Sequence, residues 1–199
     1  MDLTQNTALV VVDVQQGFED SAFWGPRNNP AADDNIAALL DTWQSTGRPV
    51  VFVRHDSVKP GSPLHPAHPG NALKPYVEER RGKGSGPELF LSKTVNSAFY
   101  GTPDLGAWFK AAGITSFVVA GIQTNMCAET TARMGGNLGY DVLFALDATY
   151  TFDQEGPFGW RLTADEIARA TAVTLHGGGF ATVTTTADLV AAAGQQLTR

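Results

Sequence analysis

The chain of 199 residues has a single cysteine, Cys127, so it cannot hold an intramolecular disulfide framework, and this fits a reducing compartment. Basic residues are scarce. Lys and Arg number 14 against 20 Asp and Glu, and the net charge of −6 argues against nucleic acid as a partner, because phosphate binding needs clustered cations. No apolar run approaches the roughly 20 residues that cross a bilayer, and the N-terminus lacks a basic segment leading into a long apolar one. Internal repeats and low-complexity tracts are missing. No G-x-G-x-x-G follows the first apolar run, which removes the dinucleotide fingerprint. What is present is a globular composition, 43% hydrophobic and 17% charged, at a length that suits one domain over residues 1–199. The expectation is a cytoplasmic protein without cofactor, membrane contact or nucleic-acid partner.

Short valine-rich runs alternate with helical spacing. Residues 7–14 (T-A-L-V-V-V-D-V) read as a strand buried on both faces, interrupted near its end by Asp13. Residues 31–46 place Ile36, Leu39, Leu40 and Trp43 on one helical face, with Asp33 or Asp34 as cap and Gly47 as stop. A second strand spans 50–53, and Arg54-His55-Asp56 follows it. The Pro- and Gly-rich stretch 59–75, with His65 and His68, is a long loop of the kind that usually serves function. Residues 76–86 are charged and read as solvated. A third strand ends at Lys93, and Thr102 is placed to cap a helix carrying Leu105, Trp108 and Phe109. The fourth strand begins near Ile114, the helix after Cys127 runs to about Leu138, and the fifth strand covers 140–146. A helix at 164–176 and a short strand at 181–183 complete the pattern. This alternation predicts a three-layer α/β/α fold with a mostly parallel central sheet of about six strands.

Asp13, Lys93 and Cys127 share one address, the C-terminal end of a predicted buried strand, where ligands bind in open α/β sheets. Their chemistry is complementary: a carboxylate accepts a thiol proton, an ammonium stabilises thiolate and carboxylate, and the thiolate attacks a carbonyl. The helix N-terminus after residue 121 is expected to lower the cysteine's pKa. Taken singly, Cys127 reads equally as a small core residue, Asp13 as a cap and Lys93 as a surface lysine.

The stretches 8–15 (A-L-V-V-V-D-V-Q), 93–102 (K-T-V-N-S-A-F-Y-G-T), 119–133 (V-A-G-I-Q-T-N-M-C-A-E-T-T-A-R) and 139–148 (G-Y-D-V-L-F-A-L-D-A) carry a resemblance. In that order and spacing the chain resembles the isochorismatase-like cysteine hydrolase superfamily, which includes nicotinamidases, N-carbamoylsarcosine amidohydrolase and ureidoacrylate-type amidohydrolases. The resemblance implies a triad of Cys127 as nucleophile, Asp13 as general base and later acid, and Lys93 as electrostatic support. It also implies a cis peptide at Ile122–Gln123 and an oxyanion hole from the N–H groups of Gln123 and Cys127. The implied activity is hydrolysis of a C–N bond in a small amide or ureido (carbamoyl) substrate, by a protein that forms a homodimer or homotetramer.

Two relatives of the pattern fit less well. Isochorismatase itself cleaves a vinyl ether without needing this cysteine, and nicotinamidases carry an Asp-x-His metal motif where this chain has Arg54-His55-Asp56 in reversed order. No metal is therefore expected. A rival of another class is a redox-sensing or ligand-binding α/β module, which leaves Asp13 and Lys93 without a task. For the substrate pocket the expected residues are Gln15, Phe18, Trp24, His55, Phe99, Tyr100, Thr124 and Met126, with Phe23, Tyr150 and Phe152 nearby. The Gly156-Pro157-Phe158-Gly159-Trp160 loop is expected to expose its aromatics.

Overall fold

A computed structural model describes residues 3–194. Its elements in chain order are β1 (Ala8–Val12), α1 (Ser21–Trp24), α2 (Ala32–Ser45), β2 (Val50–His55), α3 (Pro75–Glu78), β3 (Glu88–Lys93), α4 (Leu105–Ala111) and β4 (Ser116–Ile122). They continue through α5 (Glu129–Asn137), β5 (Asp141–Tyr150), β6 (Gln154–Glu155), β7 (Arg161–Leu162), α6 (Ala164–Gly177), β8 (Thr182–Thr184) and α7 (Thr186–Gly194).

Six strands form one sheet in the order β3-β2-β1-β4-β5-β8, and every neighbouring pair is parallel. Both faces are covered, which is why β1 reads as an unbroken apolar run rather than an alternating one. Leu9 and Val11 pack into one core with α2 and α7, whereas Ala8, Val10 and Val12 pack into the other with α4, α5 and α6. Trp43 of α2 is fully buried, and its indole N–H donates to the Thr7 carbonyl at 2.9 Å, fastening the helix to the start of β1. From β1 the chain builds outward through β2 and β3, then returns to add β4, β5 and β8 on the other side. The direction of winding therefore reverses between β1 and β4, and the crevice at their C-terminal ends is the natural ligand site of such a sheet.

Several boundaries differ from the sequence expectation, each for a local reason. Neither Asp33 nor Asp34 caps α2; the cap position is Ala31, and the Asp33 carboxylate instead accepts from Lys74 Nζ and the Tyr76 hydroxyl, each at 2.9 Å. Thr102 does not cap α4; the cap is Asp104, whose side chain accepts from the Ala107 N–H. The charged stretch after Tyr76 includes the short α3, whose Val77 is buried. Strand β5 runs on to Tyr150 through an irregularity in its pairing with β4, and the β6–β7 hairpin and α7 lie outside the elements expected. The hairpin exposes Phe158 and Trp160 as expected. Among the described residues no helix is long and apolar enough to cross a membrane.

One glycine is required by the central pair of strands. Gly121 sits in register with Val12 at φ +121°, and a Cβ there would lie 2.0 Å from the Val12 carbonyl oxygen. Neither strand can retreat, since both are paired on each side. Gly121→Ala is expected to cost about 3 kcal/mol or more, a fall of roughly 6–12 °C in Tm for a domain of this size, measurable by thermal unfolding.

Candidate active site

Residue Asp13 leaves the end of β1 with a positive φ of 52°, a conformation that an aspartate tolerates but rarely adopts. Its N–H still reaches across to the Val53 carbonyl of β2 at 2.9 Å, so the turn is held by the sheet. Lys93 ends β3 and lies beside His55 of β2 in strand register. Its ammonium donates to Asp13 Oδ2 at 2.6 Å, and both side chains are wholly buried. Burying such a pair is tolerable only because each charge answers the other. Asp13 Oδ1 makes no hydrogen bond and remains available as a proton acceptor.

Cys127 enters from the far side of the crevice. After β4 the Ile122–Gln123 peptide is cis, and residues Thr124–Ala128 form one π-helical turn before α5 begins. This turn, rather than a regular α-helical N-terminus, carries the thiol. Cys127 is 8% exposed, and its Sγ lies 3.7 Å from Asn96 Oδ1. Burial first, then the adjacent Asp13 carboxylate, push the thiol well above its ordinary range, while the Lys93 ammonium pulls the other way. The expectation of a lowered pKa is corrected: a buried thiol facing a carboxylate stays protonated at rest, whatever its place before a helix. Desolvation alone would lower the Lys93 ammonium, but Asp13 and Cys127 together raise it, so the charge persists.

One donor atom each from Asp13, His55 and Cys127 lies within 4.8 Å of the others, the single such group of three among the described residues. A metal ion does not fit it. The Lys93 ammonium already contacts two of the three, Asp13 at 2.6 Å and His55 Nδ1 at 3.1 Å, and a divalent cation would have to enter against that charge. Nor do the remaining candidates build a site. Asp56 is held by Arg54 and Asn71, and the Nδ1 atoms of His65 and His68 accept the N–H groups of Ala67 and Gly70.

The thiol opens into a cavity of about 500 Å³. Cavities of about 570 and 710 Å³ lie elsewhere, and Cys127 lines neither of them. One wall is aromatic: Phe18 and Trp24 lie 5.0 Å apart between ring centroids, Phe23 meets Trp24 edge-on at 4.7 Å, and Phe152 stacks behind them. The Trp24 N–H is already used by the Gly17 carbonyl at 2.8 Å, so this wall offers apolar surface only. The opposite wall is the 57–64 segment of the long loop, pinned where the Ser57 N–H meets the Leu64 carbonyl. Of the residues named for the pocket, Phe18, Trp24, His55 and Met126 line the cavity, and Asn96 and the oxyanion candidate Gln123 line it with them.

Four expected residues do not line it. Gln15 is fully buried behind the site, where its amide accepts from the His55 N–H and donates to the His55 carbonyl. Thr124 is buried and donates to Thr149. Phe99 turns into an aromatic cluster with Phe109, Phe117 and Tyr140, and Tyr100 points to solvent, since the short turn at Ala98–Tyr100 directs them away. Tyr150 is also buried away from the cavity, under Arg27. Asn96 and the 57–64 wall escaped the sequence reading. Only the length of the loop and the position of Asn96 three residues after Lys93 hinted at them.

Comparison with known proteins identifies the family. A protein from Bacillus subtilis (strain 168), the uncharacterized isochorismatase family protein YrdC, is 39% identical over 188 residues, covering 94% of this chain and 96% of its own length. Nicotinamidase 3 from Arabidopsis thaliana is 30% identical over 159 residues, 74% of this chain and 75% of that one. A crystal structure of an isochorismatase-family protein from Chromobacterium violaceum ATCC 12472 superposes with a TM-score of 0.89 at 40% identity, covering 98% and 97% of the two chains. Residues 7–188 match the family model of the isochorismatase domain, and the chain belongs to the isochorismatase family.

Proposed function

We propose that the protein hydrolyses a C–N bond of a small amide or ureido (carbamoyl) compound through a thioester on Cys127. The observation that carries this reading is the wholly buried Asp13–Lys93 pair at the sheet's switch point, beside the chain's single cysteine, which itself lines a cavity. Asp13 takes the thiol proton as Sγ bonds to the substrate carbonyl carbon. The N–H groups of Gln123 and Cys127 receive the negative charge that develops on the carbonyl oxygen; each such donor is typically worth about 10²–10³ in rate. The C–N bond breaks, and the amine or ammonia departs with the proton from Asp13. Water then gives a proton to Asp13 and attacks the thioester, and Sγ leaves and is reprotonated. Lys93 holds the Asp13 carboxylate in place and steadies the thiolate while it exists.

A cavity with one aromatic wall facing a loop that carries Ser57, Lys59 and Ser62 suits a small amide with an apolar side and a polar or anionic end. Similarity to a nicotinamidase supports an amide substrate. A thiol pushed upward by its surroundings is poorly suited to redox sensing, which depends on a ready thiolate. Isochorismatase-type vinyl ether cleavage would leave Cys127 without a part. The test is ammonia release across nicotinamide, carbamoyl amino acids and ureido acids, together with mass spectrometry of acidified reactions for an adduct on Cys127. Turnover with a Cys127 adduct supports the reading; turnover that Cys127→Ala retains overturns it.

A further inference from the structure

Lys93 has three N–H bonds to direct, and the proposed chemistry needs one of them turned toward sulfur. The ammonium is a donor only, so the 3.1 Å contact to His55 Nδ1 makes that nitrogen an acceptor without a proton. The neutral ring then carries its proton on Nε2. Burial first and the Lys93 charge second hold the imidazole below its usual pKa, so the acceptor form is the resting one.

The ring is also firmly placed. Gln15 clamps the His55 backbone from both sides, accepting from its N–H at 2.8 Å and donating to its carbonyl at 3.0 Å. Asn71 adds a second donor to that carbonyl at 3.1 Å. Gln15 lies two residues beyond Asp13, so the ends of β1, β2 and β3 are joined in a closed ring of contacts: Asp13 to Lys93, Lys93 to His55, His55 to Gln15.

We infer that His55 is a positioning residue of the active site, whose Nδ1 acceptor, together with Asp13, orients the Lys93 ammonium toward Cys127. This assignment rests on the cysteine-hydrolase reading for its catalytic consequence, but the state of the thiol reports on it without any turnover. Two N–H bonds held by Asp13 and His55 leave the third for sulfur. Removing the acceptor leaves a buried N–H bond unsatisfied and frees the ammonium to turn away.

The experiment compares His55→Leu, which keeps bulk and removes the acceptor, with His55→Gln, which restores one. Iodoacetamide alkylation of Cys127 at pH 8 is read alongside steady-state kinetics on whichever amide the screen identifies. The charged groups acting on the thiol are Asp13 from the end of β1 and Lys93 from β3. Below its pKa the thiol reacts in proportion to its thiolate fraction, so weaker hold by the ammonium slows alkylation. His55→Leu is expected to alkylate about tenfold more slowly, an upward shift of about one pH unit, and to lose about 10- to 100-fold in kcat with KM within about threefold. His55→Gln is expected to recover most of both.

A His55→Leu protein that alkylates at the native rate, or that changes KM alone, overturns the assignment and leaves His55 a wall residue. Should His55→Leu fail to fold, His55→Asn replaces it, because its shorter amide cannot reach Nζ; equal behaviour of the Asn and Gln variants then overturns the assignment. If no amide in the screen is turned over, the alkylation comparison still decides the role of His55, so the two readings fail separately.

Discussion

Cys127→Ala is expected to reduce turnover by about 10⁴-fold or more, with the folded structure intact. The prediction follows from the site having one nucleophile. Asp13 is buried and bonded to Lys93, His55 is neutral and bonded to the same ammonium, and no other cysteine exists. The structural cost is small. Cys127 Sγ lies 3.7 Å from Asn96 Oδ1 and beside Asp13 and Lys93, and loss of one sulfur from a residue lining the cavity is expected to shift stability by about 1 kcal/mol. Cys127→Ser is the sharper variant. It preserves size and places an oxygen in the same burial beside the same carboxylate, where a hydroxyl is far harder to deprotonate than a thiol. Loss of activity in both variants with an unchanged Tm is the expected result, measured by ammonia release and thermal unfolding. Substantial turnover by the alanine variant would remove Cys127 from the mechanism.

Asp13→Asn separates the two roles of the carboxylate and produces effects of opposite sign. Turnover should fall by about 10³-fold or more, because an amide neither accepts the thiol proton nor returns it to the leaving amine. Alkylation of Cys127 should nevertheless become faster. After burial, the Asp13 charge is the next influence that pushes the thiol upward. Without that carboxylate, the buried Lys93 ammonium lacks its anion, and the thiolate is the group left to supply one. The thiol pKa should therefore fall, and the iodoacetamide rate at pH 7–8 should rise by about tenfold or more. A variant with both lower turnover and a slower-reacting thiol would show that Lys93 had lost its own proton instead.

The fold was legible because its strands are short valine-rich runs buried on both faces, and Asp13, Lys93 and Cys127 stand out as polar residues at their ends. The pocket was less legible, since a sequence pattern shows which residues follow a strand but not which way a turn throws them. Phe18 and Trp24 follow β1 and line the cavity, whereas Phe99 and Tyr100 follow β3 and turn elsewhere. Gln15 was expected against the substrate but acts one layer behind, as a clamp on His55. The thiol's pKa was misjudged for a related reason. A helix start is visible in sequence, whereas the depth of burial and the proximity of a carboxylate from residue 13 belong to the assembled sheet.

That assembly has a kinetic side. The Asp13–Lys93 contact joins residues 80 apart in sequence, and Cys127 follows β4, which pairs with β1 although β2 and β3 lie between them in the chain. All the sheet's pairings are parallel, so none can begin as a local hairpin. Chains dominated by such non-local contacts fold slowly, and until β4 docks, the valine-rich edge of β1 is exposed to other copies of itself. The cluster of Asp13, Lys93 and Cys127 thus exists only when β1, β3 and β4 share one sheet. Refolding yield, limited by concentration and temperature, is then more vulnerable than the chemistry of the finished site.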